Sequence, residues 1–194
     1  MNQPREFDVV VWGATGFTGK LVAEYLYKKY GLSDDLKWAI AGRDFSKLDL
    51  VRIELRDNKI PILIADVDDL ESLNQMTKKT KVICTTVGPY AKYGSKLVSC
   101  CVNNKTDYCD LAGEVQWIRK MIDKYHDGAK SNGVKIVNSC GFDSIPSDLG
   151  VYFIQKKTKN NFNLRAKEIK MRVAGVKGWI SGGTYASLSN VGIE

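Results

Sequence analysis

Phe7-Asp8-Val9-Val10-Val11-Trp12-Gly13-Ala14-Thr15-Gly16-Phe17-Thr18-Gly19 is the stretch that decides the fold of this chain. An apolar run rich in valine leads into three glycines spaced GxxGxxG, and a helical pattern carrying Leu21, Val22, Tyr25 and Leu26 follows at once. A strand, a glycine turn and a helix in that order make a dinucleotide-binding unit. Glycine permits the tight turn and lets backbone approach a pyrophosphate, whose charge sits against the free N–H groups and positive end of the helix. Gly13, Thr15, Gly16, Phe17, Thr18 and Gly19 are therefore expected to bind the cofactor, mostly through backbone. The bland alternative is a strand-to-helix turn without a ligand.

Outward from this unit, apolar runs alternate with amphipathic stripes, the sequence form of a parallel sheet covered by helices on both faces. Strands are expected at Asp8–Gly13, Lys37–Ala41, Ile60–Asp66, Lys81–Val87, Thr106–Leu111 and Val134–Cys140. Between them, Leu48, Val51 and Leu55, then Leu70, Leu73 and Met76, then Leu97, Val98, Cys101 and Val102, then Trp117, Ile118, Met121, Ile122 and Tyr125 recur at helical spacing and read as core. Asp68 with Glu71 reads as an acidic capping box opening the third helix. Pro146 stands near the start of a further helix, Ser147 to about Lys157, which runs into the polar segment 156–163. That segment reads as a domain boundary, and Glu168–Ala174 beyond it alternates like a strand of a second unit. The expected fold class is thus α/β: a doubly wound parallel sheet over residues 1–158, followed over 159–194 by the beginning of a second α+β domain. Too little sequence follows to close another core, so the chain is expected to be part of a longer protein and inactive alone.

Composition narrows the classes. With 44% apolar residues over 194 positions the chain can build a sizeable core, and its longest apolar runs, such as Ile60–Ala65, are far too short to span a membrane. The polar start lacks a signal-peptide core, which makes a cytoplasmic location the expectation. The net charge of +7 comes from lysines and arginines dispersed over helix ends, among them Lys28-Lys29 and Lys78-Lys79. No basic stripe is interleaved with aromatics, so no nucleic-acid partner is expected, whereas an anionic lipid surface or a phosphorylated cofactor is compatible. Five cysteines with no CxxC, beside the single His126, point to neither a metal site nor a disulfide framework and read as buried, reduced thiols.

Ligands of a doubly wound sheet bind beyond the carboxyl ends of its strands. The second strand ends in Ala41-Gly42-Arg43, where an NAD site would place an acid. Arg43 instead suits a 2′-phosphate and favours NADP(H) over NAD(H), unless it pairs with Asp44. The fourth strand leaves through Thr85-Thr86-Val87-Gly88-Pro89-Tyr90. There Val87, Gly88 and Pro89 are expected to flank the cofactor, and Tyr90 either donates a proton or packs on the lip of the domain. The fifth leaves through Asp110-Leu111-Ala112-Gly113-Glu114, whose carboxylates suit an acid, a substrate clamp or a cap. The sixth leaves through Gly141-Phe142-Asp143-Ser144, which makes Asp143 the second candidate acid.

Together these segments, with Tyr93-Gly94, Gly141–Gly150 and Ser181–Thr184, resemble the saccharopine dehydrogenase-like oxidoreductases and the related trans-acting enoyl reductases. The resemblance implies a Rossmann domain, a nicotinamide cofactor, and a second domain that contributes substrate contacts and dimerisation. With Arg43 it points to NADP(H)-dependent hydride transfer to or from an imine, enoyl or carbonyl carbon of a small molecule; it implies little about the substrate, and likeness to the enoyl reductases makes a lipid-like one compatible. A homodimer and peripheral attachment to a membrane or lipid droplet are compatible with it. Two rival readings remain. One is an NADP-binding sensor or scaffold without turnover; the other is a short-chain dehydrogenase using Ser139, Tyr152 and Lys156, whose Ser…Tyr-x-x-x-Lys spacing is present although six strands, not five, precede that helix.

Overall fold

The computed structural model describes residues 4–175 together with Lys177, Gly182, Tyr185 and Ser189. Its strands are β1 (Phe7–Trp12), β2 (Trp38–Gly42), β3 (Ile62–Ile64), β4 (Thr80–Thr85), β5 (Asp107–Cys109) and β6 (Ile136–Val137). Its helices are α1 (Phe17–Tyr30), α2 (Phe45–Leu55), α3 (Leu70–Lys79), α4 (Tyr90–Asn103), α5 (Val115–Asn132) and α6 (Ile145–Phe162). Every strand pair is parallel, in the order β3-β2-β1-β4-β5-β6. This is the doubly wound Rossmann arrangement that the glycine turn demanded. The order reverses between β1 and β4, where crossovers depart in opposite directions and leave a crevice.

Alternation along the strands divides the core in two. Val11, Trp38 and Ile40 face Ala23 and Leu26 of α1 and Leu48 and Val51 of α2. Val10, Trp12, Ala39, Ala41, Ile83 and Tyr108 face α3, α4 and α5 through Leu73, Met76, Leu97, Val98 and Met121. A fully buried side chain such as Leu48 contributes about 1.5–3 kcal/mol by leaving water. On the face opposite α3, α4 and α5, Cys84 and Cys109 are only half-buried and Val137 is 49% exposed.

All six expected strands exist, but several are shorter than their apolar runs. At the sheet margins β3 and β6 pair on one side only, so each ladder stops where its neighbour stops. The third helix is capped by Asp69 rather than Asp68: the Asp69 carboxylate accepts from Glu71 N at 3.0 Å and Ser72 N at 3.2 Å. Asp68 is held one step earlier, its N–H donating to Asp66 Oδ1 at 2.9 Å. Leu21 and Tyr25 lie on the exposed side of α1. Burial is confirmed for the thiols of Cys100 and Cys101, but Cys140 is exposed and all five cysteines are free.

Helix α6 departs furthest from expectation. It continues to Phe162, so a boundary after residue 158 would cut it, and none of its residues is buried. Leu149, Val151, Tyr152, Phe153 and Ile154 all face outward. Residues 168–174 form no strand, because no neighbouring strand lies beside them to complete a ladder among the described residues. Val176, Trp179, Ser181, Gly183 and Thr184 lie outside the described residues. No described helix is long and apolar enough to cross a membrane.

Candidate cofactor site

The glycine turn is gripped from both sides. Gly13 N donates to Ala41 O at 3.0 Å on the β2 side, while Thr86 N donates to Trp12 O at 2.9 Å on the β4 side. Thr86 Oγ1 also lies 3.2 Å from Gly13 O. Gly13 has φ +88°, and a Cβ there would sit 2.5 Å from Val87 Cγ2. Both the backbone angle and the close approach of β4 therefore require glycine. Gly19 serves the other seam, since its own Cβ would lie 2.1 Å from Gly13 O. Absence of a side chain lets α1 sit directly on the turn.

Gly16 has a different task. It is the N-cap of α1 with extended backbone (φ −77°, ψ 164°), and no side chain caps the helix. A Cβ on Gly16 would meet only Gly13 O, at 3.4 Å. The first turn of α1 thus opens on to free space with its N–H groups available, as an anion site needs. By contrast α2 is capped internally, Asp44 Oδ1 accepting from Lys47 N at 3.1 Å. Asp44 is thereby engaged with its own helix and with Lys47, and Arg43 beside it is exposed with no ion pair among the described residues.

Two adjoining clefts follow the crevice. One, ≈ 230 Å³, is lined by Trp12, Gly13, Thr15, Gly42, Arg43, Asp66, Val67, Val87 and Tyr93. The other, ≈ 270 Å³, is lined by Gly13, Thr15, Gly16, Phe17, Thr18, Thr86, Val87 and Gly88. Eight of the ten residues expected to bind cofactor line these clefts: Gly13, Thr15, Gly16, Phe17, Thr18, Arg43, Val87 and Gly88. Gly19 and Pro89 are instead buried just behind the walls. Asp66 and Val67, which the sequence did not single out, come one residue after β3 and so occupy a carboxyl end of the same sheet.

The structure does not bring either candidate acid into the clefts. Tyr90 is 3% exposed, with its ring 5.6 Å from that of Trp117. Its hydroxyl donates to Thr85 O at 3.3 Å and accepts from Leu111 N at 3.4 Å. Burial, then the nearby Asp110 carboxylate, pushes the phenol well above its ordinary value. Its burial, its ring contact and its hydroxyl bonds within the domain favour the packing alternative over the proton-donor one. Asp143 is exposed on the turn before α6.

Asp110 and Glu114 turn out to be structural ties. Asp110, 2% exposed, accepts from Tyr108 Oη at 2.8 Å, Ala112 N at 3.0 Å, Asn138 Nδ2 at 2.7 Å and Ser139 N at 2.9 Å, stitching the exits of β5 and β6 together. Glu114, also buried, accepts from Tyr90 N and Ala91 N, both at 2.8 Å. The short-chain dehydrogenase alternative gains no support: Ser139 Oγ donates to Ala112 O at 2.7 Å. Tyr152 is 63% exposed, with Lys156 over its ring.

Comparison with known proteins agrees with this geometry. The sequence is 44% identical over 190 residues to a Mycobacterium tuberculosis (strain H37Rv) protein named as a candidate trans-acting enoyl reductase, covering 97% of this chain and 45% of that protein. It is 41% identical over 189 residues to the trans-acting enoyl reductase of Mycobacterium bovis, covering 95% and 44%. The chain therefore spans a little under half the length of these relatives. Among solved structures it resembles apo saccharopine dehydrogenase (L-Glu forming) of Saccharomyces cerevisiae, with TM-score 0.61 and 19% identity over 77% of this chain and 31% of that one, a likeness of fold. The sequence pattern of one family runs through residues 9–137, from β1 and its open helix end to β6, and by that match the chain belongs to the saccharopine dehydrogenase NADP-binding domain family.

Proposed function

We propose that this chain is the cofactor-holding part of an NADP(H)-dependent oxidoreductase that moves hydride to or from an enoyl, imine or carbonyl carbon. The observation that carries the reading is the pairing of an α1 N-terminus without a side-chain cap with an exposed Arg43 that has no ion pair among the described residues, at the adjacent strand exit. Backbone N–H groups of Phe17 and Thr18 would hold the pyrophosphate and Arg43 the 2′-phosphate, while the Gly16 N–H closes the turn on Gly13 O at 3.0 Å. Asp66 and Val67 would border the adenosine half, and Val87 and Gly88 the nicotinamide half. When bound, NADPH supplies the hydride. The chain's own residues bind it, orient it and present one face of the crevice.

The enoyl reductase names of the relatives favour a conjugated alkene as substrate. Neither Tyr90 nor Asp143 lines the clefts, so the accompanying proton is assigned to a group of a second unit that closes over them. Support for such a unit comes from α6, whose apolar run Leu149–Ile154 is exposed where such residues normally lie buried, and from the relatives, which are about twice as long as this chain. The same surface is available to a second copy of the protein.

Titration with NADPH and NADH tests the reading. NADPH should bind more tightly. Arg43→Ala should remove about 1.5–3 kcal/mol from NADPH binding, the worth of a charge-assisted phosphate contact, and leave NADH nearly unchanged. Equal affinities in the unmodified chain would take Arg43 out of the site.

A further inference from the structure

Helices α1 and α4 both begin beside the clefts, and their N-termini are treated differently. The end of α1 is open. The end of α4 is filled from within, by a carboxylate that arrives from 24 residues further along the chain. Pro89, the N-cap of α4, offers no side-chain cap, and Glu114 replaces it by taking the N–H of Tyr90 on Oε1 and that of Ala91 on Oε2. A carboxylate at this place is favoured by the helix dipole as well as by the two hydrogen bonds.

Glu114 itself is held in place by rigid packing. It opens α5, Ile118 N donating to Glu114 O at 3.0 Å, and Trp117 in the first turn of α5 packs on Gly94 of α4 so closely that a Cβ there would lie 2.6 Å from the indole. Trp117 Nε1 also donates to Ser95 Oγ at 3.0 Å. The two helices are thus registered against each other next to the carboxylate. On the other side, Tyr90 is joined through Pro89 and Gly88 to Val87, which lines both clefts and faces Gly13.

We infer that Glu114 is a positioning residue for the nicotinamide-facing wall, the segment Val87–Gly88–Pro89, and that it acts through the first turn of α4 without touching the cofactor. This rests on the cofactor placement proposed above. On that placement the adenosine half, at Arg43 and Asp66, belongs to the β2 and β3 side of the crevice, whereas Glu114 governs the β4 side. Disturbing Glu114 should therefore weaken recognition of one half of the dinucleotide and spare the other. A residue that merely stabilised the fold would weaken both alike.

The test compares NADPH with 2′,5′-ADP, which carries the 2′-phosphate and adenosine but no nicotinamide. Glu114→Gln sets an amide N–H against one of the two backbone N–H groups, and Glu114→Asp is one methylene too short to reach both. In each variant affinity for 2′,5′-ADP should stay within about twofold while affinity for NADPH falls about tenfold, the scale of one charge-assisted hydrogen bond. The fluorescence of bound NADPH should also move towards that of the free nucleotide. Retained 2′,5′-ADP binding reports that the variant is folded. Parallel loss of both ligands, or unchanged NADPH affinity and fluorescence in both variants, overturns the assignment of Glu114 alone. Failure of the unmodified chain to bind either nucleotide overturns the cofactor site, and this proposal with it.

Discussion

Gly19→Ala is the sharpest test of how α1 is seated. The added methyl would lie 2.1 Å from Gly13 O, 2.7 Å from Gly13 C and 2.8 Å from Ala14 Cα. All three atoms are backbone of the turn, so none can rotate aside as a side-chain tip would. Restoring an ordinary contact takes about 1 Å of movement, either of α1 off β1 or of the turn itself. Ala23 and Leu26 hold α1 down in the core shared with Val11, Trp38 and Ile40, so lifting the helix opens that packing too. Overpacking of this kind costs about 1–3 kcal/mol, and contact with backbone places it at the upper end. Alanine's better helix propensity returns up to about 1 kcal/mol, leaving a net loss of about 2 kcal/mol. For a chain of this size the midpoint of thermal unfolding should drop by roughly 4–8 °C. Urea unfolding followed by circular dichroism should show a lower midpoint with unchanged slope, and NADPH titration on the same samples should show weaker binding. Gly150→Ala is the control: it lies in α6 with nothing within 4 Å of the added methyl, so the midpoint should not fall. If Gly19→Ala melts as high as the unmodified chain and binds NADPH equally well, the close seating of α1 on the turn is wrong.

Gly16→Val should separate folding from binding in the opposite manner: the extended backbone of Gly16 accepts a side chain and only Gly13 O is near, so stability should change by less than about 1 kcal/mol while NADPH binding disappears. Circular dichroism and cofactor titration must disagree, and unchanged affinity would move the pyrophosphate elsewhere. Asp8 links β1 to β4 through Lys81 at 2.6 Å and accepts from Lys37 N at 2.9 Å; the Lys81 hydrogen bond, then that of Lys37, holds its carboxyl below the ordinary value of 3.8. Because the folded state binds this proton less readily than the unfolded one, the stabilisation is complete above pH 3.8 and is lost as pH falls through the lowered folded value. The stability gap between the unmodified chain and Asp8→Asn should therefore narrow on acidification below that pH, and a gap of constant size in urea unfolding across that range would remove the linkage.

Much of the architecture was legible because apolar period and glycine spacing report directly on burial and on close backbone approach. The glycine turn located β1, α1 and the crevice, and the residues just past β2 and β4 placed Arg43, Val87 and Gly88 on its walls. Strand ends were less legible, since an apolar run such as Ile60–Asp66 marks what is buried, whereas the ladder of β3 is limited by where β2 can pair. The roles of polar residues were least legible. Tyr90 and Glu114 have the composition of an acid and a clamp, yet one hydroxyl is spent on Thr85 and one carboxylate on the α4 N-terminus. Sequence spacing carries no sign of contacts made across 24 residues between two helix ends. Asp68 and Asp69 differ only in which of two adjacent carboxylates faces the helix, a choice made by the Asp66 turn before it.

Every residue lining the two clefts comes from positions 12–93, the run that ends inside α4. The polypeptide thereby keeps its nucleotide-facing surface in one contiguous block, ahead of β5, β6 and α6. Change accumulating after that block leaves the lining itself untouched, so the two stretches can drift at different rates and a lineage can acquire new chemistry downstream on an inherited front half. Glu114 is a thread that runs back across the division, to the N–H groups of Tyr90 and Ala91, which makes it a downstream position where such drift meets resistance.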